Sequence, residues 1–173
     1  MVNNCVNIRV ASVEDVGLIF GLICELAAYE RLSDSVFVTE SVLCDWILRG
    51  EVEVLIAEVS GKAAGFVLYY FTYSTFRGAK GIYVEDLFIR PEFRRNGIGT
   101  MFFCELADAA VLRGCFRIDW MVLNWNAGSI EFYQKLGSHP VDDWTTFRLD
   151  GEQLESLASR KNTFSEVQVK RQV

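Results

Sequence analysis

The sequence predicts one α/β domain built on a mixed, mostly antiparallel central sheet flanked by helices. Three observations lead to that reading. Apolar segments of strand type alternate with segments of helical period along the 173 residues. A strand, a glycine-containing loop and a helix start follow one another without interruption over residues 81–112. No repeat, linker or low-complexity stretch divides the chain, which is long enough to bury one core.

Taken in order, residues 6–10 read as a first strand. Ser12 with an acid three residues on forms a capping-box pattern. Val16, Ile19, Phe20, Ile23, Leu26 and Ala27 then recur at helical spacing, predicting a helix over 13–30 with Tyr29 and Glu30 at its rim. A second helix starts at the cap Thr39 and stops near Gly50. Residues 51–59 and 63–73 read as antiparallel strands joined by Ser60-Gly61-Lys62. After a turn at 78–80, the central strand covers 81–90, interrupted by Glu85 and Asp86 and stopped by Pro91, which has no N–H for a ladder. A helix over 98–113 carries Met101, Phe102, Leu106 and Ala109 on one face. Beyond it come a strand at 115–123, a helix at 126–136 closed by Gly137, a last strand at 140–149 and a terminal helix at 151–159. From Arg160 the chain is polar and expected to fray, so the domain is placed at 1–160 with a polar tail at 161–173.

Composition narrows the function. Apolar residues at 51% and charged residues at 23% describe a globular protein. No apolar run approaches the roughly 20 residues of a membrane span, and the first residues lack the basic-then-apolar order of a signal peptide. Five cysteines without a C-x-x-C pair read as reduced, mostly buried thiols of a cytoplasmic protein, and a single histidine, His139, gives no reason to expect a metal. A net charge of −6 speaks against nucleic acid and suits a cationic small molecule.

The stretch Arg94-Arg95-Asn96-Gly97-Ile98-Gly99-Thr100 carries the first chemical signal. Free N–H donors and the positive dipole end of a helix, two glycines and two arginines make an anion site. No lysine follows Gly99, so it is not a Walker loop, and Phe102 breaks the dinucleotide fingerprint. An ordinary arginine- and glycine-containing turn is the alternative. Glu85 and Asp86 carry the second signal, because charge within an apolar strand costs several kcal/mol unless it is paired or useful. A third stretch, Asn126 to Gly137, includes Phe132-Tyr133, which by itself reads equally as an aromatic pair on a buried helix face.

Together, R-x-x-G-x-G at 94–99 and N-x-x-S-x-x-F-Y at 126–133 resemble the motifs of the Gcn5-related N-acetyltransferase (GNAT) superfamily, over about residues 8–157. L-A-A-Y-E at 26–30, Y-Y-F-T-Y-S-T-F at 69–76, Y-V-E-D-L-F at 83–88 and L-N-W-N at 123–126 are similar to the diamine (spermidine/spermine) and thialysine N-acetyltransferases. The resemblance implies a single-domain GNAT fold, acetyl-CoA as co-substrate without a metal, and direct transfer to the amine of a polyamine, diamine or lysine-like amino acid. It implies Tyr133 as general acid and Glu85 as base acting through water. Implied cofactor contacts are Leu87, Phe88, Ile89, Arg94, Arg95, Asn96, Gly97, Ile98, Gly99, Thr100, Asn126, Ala127, Gly128, Ser129 and Leu136. Implied substrate contacts are Tyr29, Glu30, Glu85, Asp86, Asp119, Trp120, Met121 and Asp142, with Trp144 either lining the amine channel or buried in the last strand. The resemblance also implies a two-fold homodimer with no nucleic-acid or membrane partner. Ser74 stands where the diamine enzymes tend to carry an acid, which leans the acceptor toward the thialysine type. Rival classes are a protein lysine or N-terminal acetyltransferase and a non-catalytic CoA-binding module; the latter would need neither Glu85 nor Tyr133.

Overall fold

The computed structural model describes residues 5–169, with side chains from 5 to 160. The chain forms two compact units, one ending at Phe132 and one beginning at Tyr133.

The first unit holds a five-stranded sheet in the order β1 (Val6–Val10), β2 (Glu53–Val59), β3 (Lys62–Ser74), β4 (Ala79–Ile89) and β5 (Cys115–Trp120). Every neighbouring pair is antiparallel except β4 with β5, which is parallel, so the mixed and mostly antiparallel sheet is as expected. Between β2 and β3 the chain turns on Ser60 and Gly61, both at positive φ, as a two-residue type I′ hairpin turn requires.

The Ser12 capping box forms: the Ser12 hydroxyl accepts from the Glu14 N–H, and the Asp15 carboxylate accepts from the Ser12 N–H. Arg9 grips the same carboxylate with two hydrogen bonds at 2.8 and 2.7 Å. The expected helix over 13–30 begins as one 3-10 turn before α1 (Val16–Glu30). α2 (Glu40–Leu48) starts at Thr39, whose hydroxyl accepts from the Val42 N–H. α3 (Ile98–Leu112) follows the loop after β4.

The sheet is covered on both faces. On one, Leu55, Val67, Ile82 and Val84 pack with Ile98, Phe102 and Leu106 of α3. On the other, Ile56, Phe66, Leu68 and Phe88 pack with Ile19, Leu22 and Leu26 of α1 and Leu43 of α2. Each such side chain taken fully from water contributes about 1.5–3 kcal/mol, which makes these two layers the main stabilising term. The α3 stripe is Ile98, Phe102, Leu106 and Ala110, every fourth residue. Met101, expected on that stripe, lies a quarter-turn off it and is exposed.

β5 ends at Trp120 rather than 123 because the β4–β5 ladder ends at Val84↔Trp120, where β4 bulges and turns away. α4 (Ala127–Lys135) crosses the boundary between the units. In the second unit, Gly137 at positive φ stops α4 as expected, with the Ser138 N–H and hydroxyl donating back to the Tyr133 carbonyl.

Two expectations for this unit fail. Residues 140–149 form no strand: Pro140 lacks a donor, and Val141, Trp144 and Phe147 are exposed, so no inward face exists to pair. Nor does the terminal helix stop at 159; α5 (Gly151–Val169) continues, with neither glycine nor proline after position 151 to interrupt it. The cysteines, expected to be mostly buried, are not: Cys5 and Cys104 are exposed and Cys24, Cys44 and Cys115 half-buried. Among the described residues no helix is long and apolar enough to cross a membrane.

Candidate active site

A bulge in β4 builds the site. The β3–β4 register steps from Tyr69↔Val84 to Leu68↔Asp86, leaving Glu85 as the extra residue. Val84 and Leu87 both pack toward α3. The two residues between them, Glu85 and Asp86, therefore turn together to the opposite face, which a regular strand with its period of two could not do. That face carries α1, Tyr70 of β3 and Tyr83 of β4.

The two phenol rings lie 5.3 Å apart, and the Glu85 charge acts on both. Burial first, then the Glu85 charge, pushes both phenols above their ordinary range. Asp119, opposite Tyr83 in the β4–β5 ladder, adds to the effect at Tyr83 and is itself paired with Arg117 at 2.6 Å. The Asp86 carboxyl is pushed up to about 6, chiefly by burial and then by the charges of Glu85 and Glu30. Burial likewise raises Glu30. Three acids and two phenols thus converge, and a cation among them would relieve the repulsion. Among the described residues no group of acids, histidines and cysteines is arranged to hold a metal.

Past Val84, β4 keeps β3 on one side and has no strand on the other among the described residues, so Leu87, Phe88 and Ile89 border an opening in the sheet. The chain then makes a 3-10 turn at Pro91–Phe93 and enters α3 through Gly97, whose φ of 79° needs glycine. Asn96 donates its amide to the Phe93 carbonyl, fixing the loop. Gly97 gives α3 no side-chain cap, and a Cβ there would meet nothing within 4 Å. The first-turn N–H groups at Ile98, Gly99 and Thr100 have no capping side chain: this donor set fits a phosphate.

Gly99 serves another contact. A Cβ on it would lie 2.9 Å from the Phe132 ring, so this glycine lets α4 pack closely on the start of α3. Arg94 is also committed: its Nε–H donates to the Ile89 carbonyl at 2.8 Å, and its guanidinium sits 4.6 Å from the Tyr29 ring centre.

Asn126, the one buried polar residue among those described, caps α4. Its Oδ1 accepts from the Ser129 N–H and from the Tyr29 hydroxyl, both at 3.3 Å. Ala127 and Gly128 form the first turn of α4, and Phe132 stacks near Phe103, which stacks in turn on Trp120. Trp120 therefore faces α3 while its neighbour Asp119 stands by Tyr83, and Met121 is exposed. Tyr133, Leu136, Asp142 and Trp144 belong to the second unit, the first on α4 and the last two on the exposed segment after it.

Sequence reasoning gave Tyr70 and Tyr83 no role beyond the motifs at 69–76 and 83–88; the signal was their position flanking the acids across a strand pair. It also missed that Tyr29 touches both cofactor motifs, a contact between segments far apart in the chain.

A strand splayed from its parallel neighbour, a glycine-led helix start and paired acids on a bulge define an acetyltransferase architecture. The model of the Acetyltransferase (GNAT) family matches residues 23–138, and the chain belongs to that family. The chain is 37% identical over 170 residues to the thialysine N-epsilon-acetyltransferase of Bos taurus, covering 90% of this chain and 98% of that protein. It is 28% identical to the L-ornithine N5-acetyltransferase of Arabidopsis thaliana, over 87% of this chain and 86% of that protein. An integron cassette protein from the mobile metagenome of V. cholerae superposes with a TM-score of 0.74 at 25% identity, covering 88% of this chain and 97% of the other. The chain is an acetyltransferase.

Proposed function

We propose that the protein moves the acetyl group of acetyl-CoA directly to the side-chain amine of a lysine-like amino acid or small diamine. The observation that carries this reading is the bulge that turns Glu85 and Asp86 together toward Glu30, Tyr70 and Tyr83. An ammonium suits that surface, and thialysine and ornithine, named for the relatives, each carry one on a flexible side chain.

Acetyl-CoA supplies an activated acetyl thioester. Arg95, Asn96 and the N–H groups at the start of α3 hold its phosphates, and Leu87 to Ile89 with Asn126 to Ser129 and Leu136 line its path. Glu30, Asp86 and Asp119, with Met121 and Asp142 further out, draw in the amine and orient it. At pH 7 that amine is protonated, with an unperturbed pKa of about 10.4, and must lose a proton before it attacks. The Glu85 carboxylate, beside Tyr70 and Tyr83, takes that proton through water. The Tyr133 hydroxyl gives a proton to the departing sulfur. The enzyme works in the cytoplasm as a two-fold homodimer, for which the exposed Val141, Trp144 and Phe147 of the second unit provide apolar surface.

Thiol release from acetyl-CoA, compared by kcat/KM across thialysine, lysine, ornithine, putrescine, diaminopropane and spermidine, tests the reading. Preference for the amino acids is expected. Preference for spermidine would reassign the acceptor, and no turnover with any of them would sink the proposal.

A further inference from the structure

We propose that Arg90 is a positioning residue that fixes the end of β4, the stretch along which the thioester arm of the cofactor lies. The assignment rests on the acetyl-CoA reading above. Arg90 is the first residue past β4, and its backbone N–H still continues the ladder, donating to the Ala64 carbonyl at 2.9 Å. Backbone groups of successive residues point to opposite sides of a strand. Those of Phe88 therefore also face β3, and those of Leu87 and Ile89 face the opening in the sheet. The Ile89 carbonyl agrees with this, since it accepts the Arg94 Nε–H on that side.

Among the described residues no strand pairs with the open side of Leu87 to Ile89, so their place is set from the other side. Arg90 supplies that hold. Its guanidinium forks onto Glu25 of α1, with Nε–H donating to Oε2 at 2.9 Å and one terminal N–H to Oε1 at 2.6 Å. The other terminal nitrogen donates to the Ala63 carbonyl at 2.8 Å. One side chain thus ties the end of β4 to α1 and to the start of β3. Gly65 lets the two strands close against each other beside this fork: a Cβ there would run into the Phe88 carbonyl oxygen.

The arrangement uses what distinguishes arginine. A planar fork meets both carboxylate oxygens and still has a donor left for a carbonyl, and it fixes direction as well as distance. Both side chains are partly exposed, so their attraction adds little to global stability. What the fork determines is where β4 ends. The phosphate donors lie beyond the loop at the start of α3, and the paired acids lie back at the bulge. The backbone donors of Leu87 and Ile89 lie next to Arg90, so the loss of its hold falls first on them.

Arg90→Met tests this, since it keeps the apolar stem and removes the fork. Acetyl-CoA affinity by titration calorimetry should fall about three- to tenfold. Affinity for phosphoadenosine diphosphate, the nucleotide half of the cofactor without its thioester arm, should stay within about twofold of wild type. The amine KM at saturating acetyl-CoA should stay within about the same range. A merely structural role would weaken both ligands alike or neither. Glu25→Gln, the milder change, should show the same split at smaller size. The double variant should lose less acetyl-CoA affinity than the two losses multiplied, because both changes break one fork. Equal losses for the two ligands, losses that multiply, or no loss in either variant overturn the assignment alone. Wild-type protein that fails to bind either ligand overturns the functional reading, and this assignment with it.

Discussion

At the residue scale, Asp86 concentrates the cost of the site. In the folded protein its carboxyl keeps a proton up to about pH 6, because burial and the charges of Glu85 and Glu30 oppose ionisation. In the unfolded chain the proton leaves near pH 4. The folded state thus binds more protons between these values, and stability falls as pH rises through that window. Asp86→Asn removes this cost: in urea melts the variant should gain up to about 3 kcal/mol over wild type at pH 8 and little at pH 4. An equal gain at both values would show that Asp86 is not held protonated. Tyr133 makes the complementary case. Tyr133→Phe should lower kcat by about a hundredfold or more while acetyl-CoA affinity stays near wild type. An unchanged kcat would remove it from the acid role.

At the element scale, two glycines two residues apart separate conformation from contact. Gly97 needs its left-handed φ but faces open space, whereas Gly99 is helical and lies under the Phe132 ring. Gly97→Ala should therefore cost about 1–2 kcal/mol through backbone strain. Gly99→Ala should cost about 1–3 kcal/mol through overpacking, and should also displace the α4 turn that carries Phe132. Thermal melts of the two variants, each combined with Phe132→Leu, tell the causes apart. The smaller side chain should rescue Gly99→Ala and leave the Gly97→Ala deficit unchanged. The reverse pattern would mean that the ring contact does not fix α4. The bulge in β4 belongs to this scale as well, since no single residue explains two adjacent acids on one face; the extra residue in the ladder does.

At the scale of the whole molecule, the second unit leaves Val141, Trp144 and Phe147 between 61% and 91% exposed, all within one short segment. Apolar surface of that kind is a place for a second copy. Sedimentation equilibrium should give about twice the 19.7 kDa chain mass. Trp144→Asp should shift the distribution toward monomer. A monomeric wild type would leave these side chains without a partner of the same chain and end the dimer reading.

How much of this was legible in the sequence follows from what each feature depends on. Local features could be read directly. The Ser12 capping box, the Thr39 cap, the Ser60-Gly61 turn and the Gly137 stop are set by residues within a few positions of each other. The strand–loop–helix at Arg94 to Thr100 and the paired acids were legible for the same reason. The tertiary structure alone decided where the central strand bulges, because a register is a property of two strands. It alone showed that Gly99 answers to Phe132 and that Tyr29 joins Arg94 to Asn126, since those partners meet only when distant segments pack. The expected strand at 140–149 failed on the same ground: apolar residues make a strand only where they pair with a neighbour and pack under a covering layer, and Val141, Trp144 and Phe147 are exposed.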